Sequence, residues 1–153
     1  MRRLFCSLAS VVLVTALPFL SSCSISPPAP SELLMTVIGE KAGTGTVYST
    51  ECAEGEAGYI TPDLCKILFT PGVAVPREMA LYIRSGLDSV CEVFVLSTVG
   101  AEREELTTVL LERLSSLKGY YGGDGGVFFT RGLLIWCYST DKNEFEEYKD
   151  IIK

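Results

Sequence analysis

The chain has 153 residues, 13 of them basic and 19 acidic, with no histidine and a net charge of −6. That length suits one domain with a real core. The acidic balance argues against nucleic acid as a partner, and the lack of histidine excludes a Ser-His-Asp or Cys-His catalyst together with the commonest metal ligand.

In chain order, Arg2 and Arg3 form a short positive start, followed by a run of 17 uncharged residues from Leu4 to Leu20, interrupted by Pro18. Leu20, Ser21 and Ser22 then place small residues directly before Cys23. This arrangement resembles a lipobox, where a signal peptidase cuts before a cysteine whose thiol has been diacylated. Residues 1–22 therefore read as an export signal and Cys23 as the site of lipidation, with the mature chain tied to the outer face of the cell membrane. A permanent membrane helix is the competing reading. A run of that length is near the lower limit for a hydrocarbon core of roughly 30 Å, and its proline and small-residue end fit a cleaved signal better. Acyl chains hold by burying CH₂ groups at about 0.8 kcal/mol each, so two or three chains tether firmly. Loss of 1–22 removes two of the 13 basic residues and none of the 19 acids, leaving a net charge of −8. Such a domain is repelled by anionic head groups.

Residues 23–58 read as a lipidated N-terminus, a stiff spacer containing Pro27, Pro28 and Pro30, and an irregular, glycine-punctuated lead-in. Within it, Leu33 to Ile38 is apolar enough for one short helix or strand. Residues 59–153 read as the globular domain. Either Thr61 or Tyr59 opens a short helix over Pro62 to Phe69, with the proline near its first turn. Met79 to Arg84 alternates as a strand does, Gly86 to Ser89 reads as a turn, and Val93 to Leu96 forms a second strand. Ala101 to Lys118 reads as an amphipathic helix with Leu106, Val109, Leu110, Leu114 and Leu117 on one stripe, closed by Gly119. A glycine loop over 122–126 leads to a strand at Val127 to Thr130, a turn at Arg131 and Gly132, and a strand from Leu133 to Ser139. Asp141 and Glu144 have the spacing of a capping box for a last helix that docks Phe145, Tyr148 and Ile152. The order strand, strand, helix, strand, strand, helix predicts an α+β fold, an antiparallel sheet with helices packed on one face.

The stretch Cys91-Glu92-Val93-Phe94-Val95, the Leu-Glu-Arg-Leu at 111–114, and the Gly132-Leu-Leu-Ile strand followed by Ser139-Thr140-Asp141 resemble a known group. It is the uncharacterised small lipoproteins of Gram-positive, mostly anaerobic gut-type bacteria that carry a domain of unknown function. The resemblance implies a lipoprotein with an α+β domain and supplies no catalytic residues.

Four cysteines remain in the exported domain, Cys52, Cys65, Cys91 and Cys137. In an oxidising compartment they are compatible with two disulfides in any of three pairings, and a local 52–65 bridge is the preferred one. Cys91 and Cys137 fall in predicted strands and could pair or simply pack. No C-x-x-C pair points to zinc, and no Walker loop, G-x-S-x-G or dinucleotide fingerprint is present. No cofactor is expected. Glu92 and Asp124 are the carboxylates nominated for a small cell-wall hydrolase. Tyr120, Tyr121 and Asp124 are the preferred ligand-binding group, because two rigid aromatic faces beside glycines suit a sugar or peptide. The leading expectation is a lipid-anchored, non-enzymatic module that binds a protein, peptide or glycan of the cell envelope.

Overall fold

The computed structural model describes residues 27–87 and 89–153, so Cys23 and the export segment lie outside the described residues. Five strands form one sheet: β1 (Thr46–Ser49), β2 (Met79–Ser85), β3 (Val90–Ser97), β4 (Asp124–Thr130) and β5 (Leu133–Ser139). Their order is β1-β2-β3-β5-β4, and each neighbouring pair is antiparallel. The helices are α1 (Pro30–Ile38), α2 (Pro62–Leu68), α3 (Arg103–Tyr121) and α4 (Lys142–Ile152), with a 3-10 turn over Gly39–Thr44. The expected α+β architecture is present, and from β2 onward the element order is the one read from the sequence.

The helices cover both faces of the sheet, which corrects the expectation of one. Alternation along a strand sends successive side chains to opposite sides. Cys91, Val93 and Val95 of β3 join Ile135 and Cys137 of β5 under Leu34, Val37 and Ile38 of α1 and Phe145, Tyr148 and Ile152 of α4. Phe94, Leu96, Leu134 and Trp136 face the other way, under Leu106, Val109 and Leu110 of α3 and Leu68 at the end of α2. The physical reason lies in the two central strands, where every residue of β3 and β5 is buried. A strand with no exposed side leaves no sheet face for solvent.

The lead-in is structured. Pro30 occupies the first turn of α1 instead of extending the spacer, as its fixed φ and missing N–H allow. Leu34 is fully buried, and β1 pairs with β2 from Thr46↔Ile83 to Ser49↔Ala80. The packed domain therefore starts near residue 30, not at 59. At α2, the Thr61 side chain accepts from the Leu64 N–H and Pro62 opens the helix, as expected. α3 runs through Gly119 to Tyr121 and is closed by Gly122 at φ 73°, whose N–H donates to Lys118 O. Much of the predicted glycine loop is thus the start of β4. Arg131 and Gly132, both at positive φ, form the tight hairpin turn.

Among the described residues no cysteine is bridged. Cys52, Cys65, Cys91 and Cys137 are all free, and none lies at disulfide distance from another. Cys91 and Cys137 share the α1/α4 face but sit on diagonal positions, with Cys91 opposite Ser139 and Cys137 opposite Val93. Burial pushes both thiols up to about 12, so they pack as small apolar groups.

If α1 belongs to the core, Leu34→Ala should cost about 2–5 kcal/mol in urea unfolding, as a buried leucine does. A change below about 0.5 kcal/mol, the range of surface positions, would mean that α1 is dispensable.

Candidate functional site

The site begins with how closely α3 can approach the sheet. Gly125 of β4 has no side chain, and a Cβ there would stand 2.6 Å from Leu114 Cδ1 of α3. The helix consequently settles over β4 and β5. α2 stands over the opposite half of the same face, through Leu68 beside Met79 and Leu81 of β2. A groove is left between the two helices above β3.

Arg113 lines this groove and is tied from beneath by an ion pair. Arg113 of α3 reaches down to Glu92 of β3, Nε to Oε2 at 2.7 Å and Nη2 to Oε1 at 2.6 Å. Glu92 is 5 % exposed. A buried carboxylate is costly unless such paired, charge-assisted bonds meet it. The guanidinium also lies 5.8 Å from the Phe94 ring centre and 6.0 Å from that of Trp136, within reach of cation–π attraction. Trp136 is held in turn by its indole N–H, which donates to Leu110 O at 3.0 Å.

Adjoining hollows follow this groove. One of about 290 Å³ is lined by Lys66, Ile67 and Thr70 on the α2 side and by Glu112, Arg113 and Ser116 on α3. The next, about 400 Å³, sets Thr70 and Val73 against Glu102, Glu105 and Glu112. A third of about 370 Å³ lies along α2 beside Cys65, Pro71 and Val75. Burial raises the Cys65 thiol, so it is not poised as a thiolate nucleophile. Ile67, Val73 and Val75 give the groove apolar surface, Arg113 is engaged from below, and Glu102, Glu105 and Glu112 form a carboxylate rim.

A second polar cluster sits on the opposite face. Glu144 of α4 accepts two bonds from Arg84 of β2, at 3.0 and 2.8 Å, one from Ser139 Oγ at 2.5 Å and one from the Tyr148 hydroxyl at 3.0 Å. Burial alone would raise the Glu144 carboxyl, but these donors outweigh it and hold the group below its ordinary value. The capping box is therefore half made. Asp141 accepts from the Asn143 N–H, whereas Glu144 turns inward to Arg84.

The residues nominated from sequence fall apart into separate settings. Glu92 is buried beneath the groove, under Arg113. Asp124 opens β4, two strands from Glu92, and bonds Lys118 at 2.8 Å, which lowers its carboxyl. The pair does not form the two-carboxylate arrangement of a hydrolase. Tyr120 and Tyr121 ride the last turn of α3, 85 % and 58 % exposed, with ring centres 6.4 Å apart. They share the Asp124 end of the molecule, but the hollows described above do not include them.

Arg113 and Arg84 escaped the sequence reading as site residues, and Glu144 reads from sequence only as a capping residue and not as the partner of Arg84. A signal was present for two of them. Arg113 lies on the stripe Leu106, Leu110, Leu117, and Glu144 on the stripe Tyr148, Ile152, so each is a charge on an apolar helix face. Comparison with known proteins gives no relative: no family model, curated protein or solved structure matches this chain.

The depressed Glu144 carboxyl links stability to pH. A carboxylate whose folded value lies below its ordinary 4.5 adds stability that is complete above that value and is lost as pH falls through the folded one. Wild-type protein should lose stability between about pH 5 and pH 3, and Glu144→Gln should flatten that limb while weakening the fold at neutral pH. Parallel acid profiles for the two proteins would show that the Arg84–Glu144 pair is not the acid-sensitive element.

Proposed function

We propose that this chain is a lipid-anchored module at the outer face of the cell membrane, and that it binds an extended peptide or glycan segment of an envelope partner in the groove between α2 and α3. The observation that carries the binding half is the groove itself. Lys66, Ile67 and Thr70 form one wall and α3 the other, with Arg113 lining it and held from beneath by Glu92. Ile67 is 71 % exposed on that wall, an apolar side chain left facing water where a ligand would cover it. The anchoring half rests on Leu20-Ser21-Ser22-Cys23 following an uncharged apolar run.

A binding role is favoured over hydrolysis because each nominated carboxylate already neutralises a cation, Glu92 with Arg113 and Asp124 with Lys118. General acid catalysis needs one carboxyl kept protonated beside an ionised partner. Trp136 is the single tryptophan, and its ring lies against Phe94 with centres 4.7 Å apart beneath Arg113. It is therefore a buried reporter beneath the groove, coupled to it through Arg113.

Two measurements test the two halves separately. Radiolabelled palmitate should enter the wild-type chain and not Cys23→Ser; equal labelling would remove the anchor. Titration with defined wall fragments and peptides should change Trp136 fluorescence in the wild type, with about tenfold weaker binding by Ile67→Asp. Unchanged affinity in that surface variant would place the ligand elsewhere.

A further inference from the structure

The two edges of the sheet differ in how they are guarded. β1 is four residues long, and its end is engaged by the neighbouring loop, with Ser49 N–H bonded to Gly58 O at 2.9 Å and Ser49 bridged to Tyr59. β4 is seven residues long and pairs only with β5 among the described residues. It reads Asp124-Gly-Gly-Val-Phe-Phe-Thr130, without lysine, proline or any charge after its first residue. Edge strands are ordinarily blunted by such residues, because a bare row of N–H and C=O groups templates further pairing. In a chain with 19 acidic residues, this stretch has been left almost free of them.

We infer that β4 is a homodimer interface, pairing antiparallel with β4 of a second copy across a two-fold axis at Val127. The register follows from geometry. In an antiparallel pair, residues whose backbone groups point outward must meet residues that also point outward, so the axis passes through a residue and not between two. Centring it on Val127 pairs all seven residues, whereas a shift to Gly126 or Phe128 loses two of them.

Side-chain complementarity favours the same register. Phe129 comes opposite Gly125 of the second copy and Val127 opposite Val127, both on the face that carries α3, while Phe128 stays over Gly126 of its own chain. Because Gly125 has no side chain, the half-exposed Phe129 ring meets there the Leu114 side chain of the second copy. The acidic ends are kept apart: Asp124, paired with Lys118 of its own chain, comes opposite Thr130 of the other copy and far from the other Asp124, so no like charges meet along the pair.

The helix above this edge is also suited to a second copy. Arg103 stacks 4.0 Å from the Phe129 ring centre, and Leu114 lies over Gly125. Leu111, 48 % exposed, stands between these contacts on the same side of α3. The axis through Val127 brings the two Leu111 side chains toward each other. Leu111 and Phe129, which is 46 % exposed, then lose water together. This interface is independent of the α2–α3 groove, which faces away from the β4 edge.

The test is oxidative cross-linking of the full chain in membranes, with wild type as the background for the native cysteines. Val127→Cys should give a covalent dimer, because directly opposed Cβ atoms lie about 4.5–5.5 Å apart. Thr130→Cys should not, since its two copies fall roughly 20 Å apart at about 3.4 Å per residue. Adding Phe129→Glu to Val127→Cys should reduce cross-linking about tenfold. The new carboxylate can pair with Arg103 within its own chain, so the monomer keeps its fold, while the ring over Gly125 is lost. Absence of a Val127→Cys dimer, or a stronger one through Thr130→Cys, would overturn the proposal. Cross-linking of β4 to a different protein instead would likewise overturn it and make the edge a site for a foreign strand.

Discussion

β3 and β5 lie side by side at the centre of the sheet, and neither exposes a residue to water. The rest of the molecule is arranged around that constraint. Antiparallel sheets commonly leave one face solvated and then alternate apolar with polar residues. Here the alternation is between two apolar faces, so helices must be supplied on each side. α1 and α4 provide one layer and α2 and α3 the other. The segment before residue 59 is drawn into the fold for this reason, since without α1 part of β2 and β3 would stand bare.

Each layer carries one buried acid matched by one arginine. Glu92 meets Arg113 above the sheet, and Glu144 meets Arg84 below it. Such pairs add less net stability than apolar packing would, because both charges must leave water. What they do supply is direction. A two-pronged bond between guanidinium and carboxylate has one good geometry, so it ties α3 to β3 and α4 to β2 in one orientation. Removing one partner leaves the other buried and unmatched, which makes both pairs sensitive points of the fold. No helix among the described residues is long and apolar enough to cross a membrane.

With the centre filled, the features suited to recognition lie at the periphery. The α2–α3 groove exists because two helices cover one face incompletely. The β4 edge exists because an open sheet must end somewhere, and this end is uncharged. In the proposed reading the two serve recognition in different ways. The groove would offer walls and a rim to an extended ligand, and the edge would offer main-chain hydrogen bonds to a strand of its own sequence. The proposed lipid-tethered module would then bind its partner while paired with a neighbour in the same membrane.

Local sequence determined the elements whose signals are local. The Thr61-Pro62 start of α2, the apolar stripe of α3, the Arg131-Gly132 turn and the β2–β3 and β4–β5 hairpins all follow from spacing, turn chemistry and caps within a few residues. The apolar runs Val93 to Leu96 and Leu133 to Trp136 also carried the sign of burial on both faces, because they do not alternate with polar residues. Tertiary structure alone decided where the helices dock, that Leu33 to Ile38 becomes the helix α1, and that Gly125 begins a strand under Leu114 instead of a loop. It also decided the partners of Glu92 and Glu144, which lie 21 and 60 residues away along the chain. The four thiols stay apart because strand register sets Cys91 and Cys137 on a diagonal and no fold contact joins Cys52 to Cys65. Burial and charge pairing depend on which surfaces meet across the sheet, and periodicity along the chain carries no record of that.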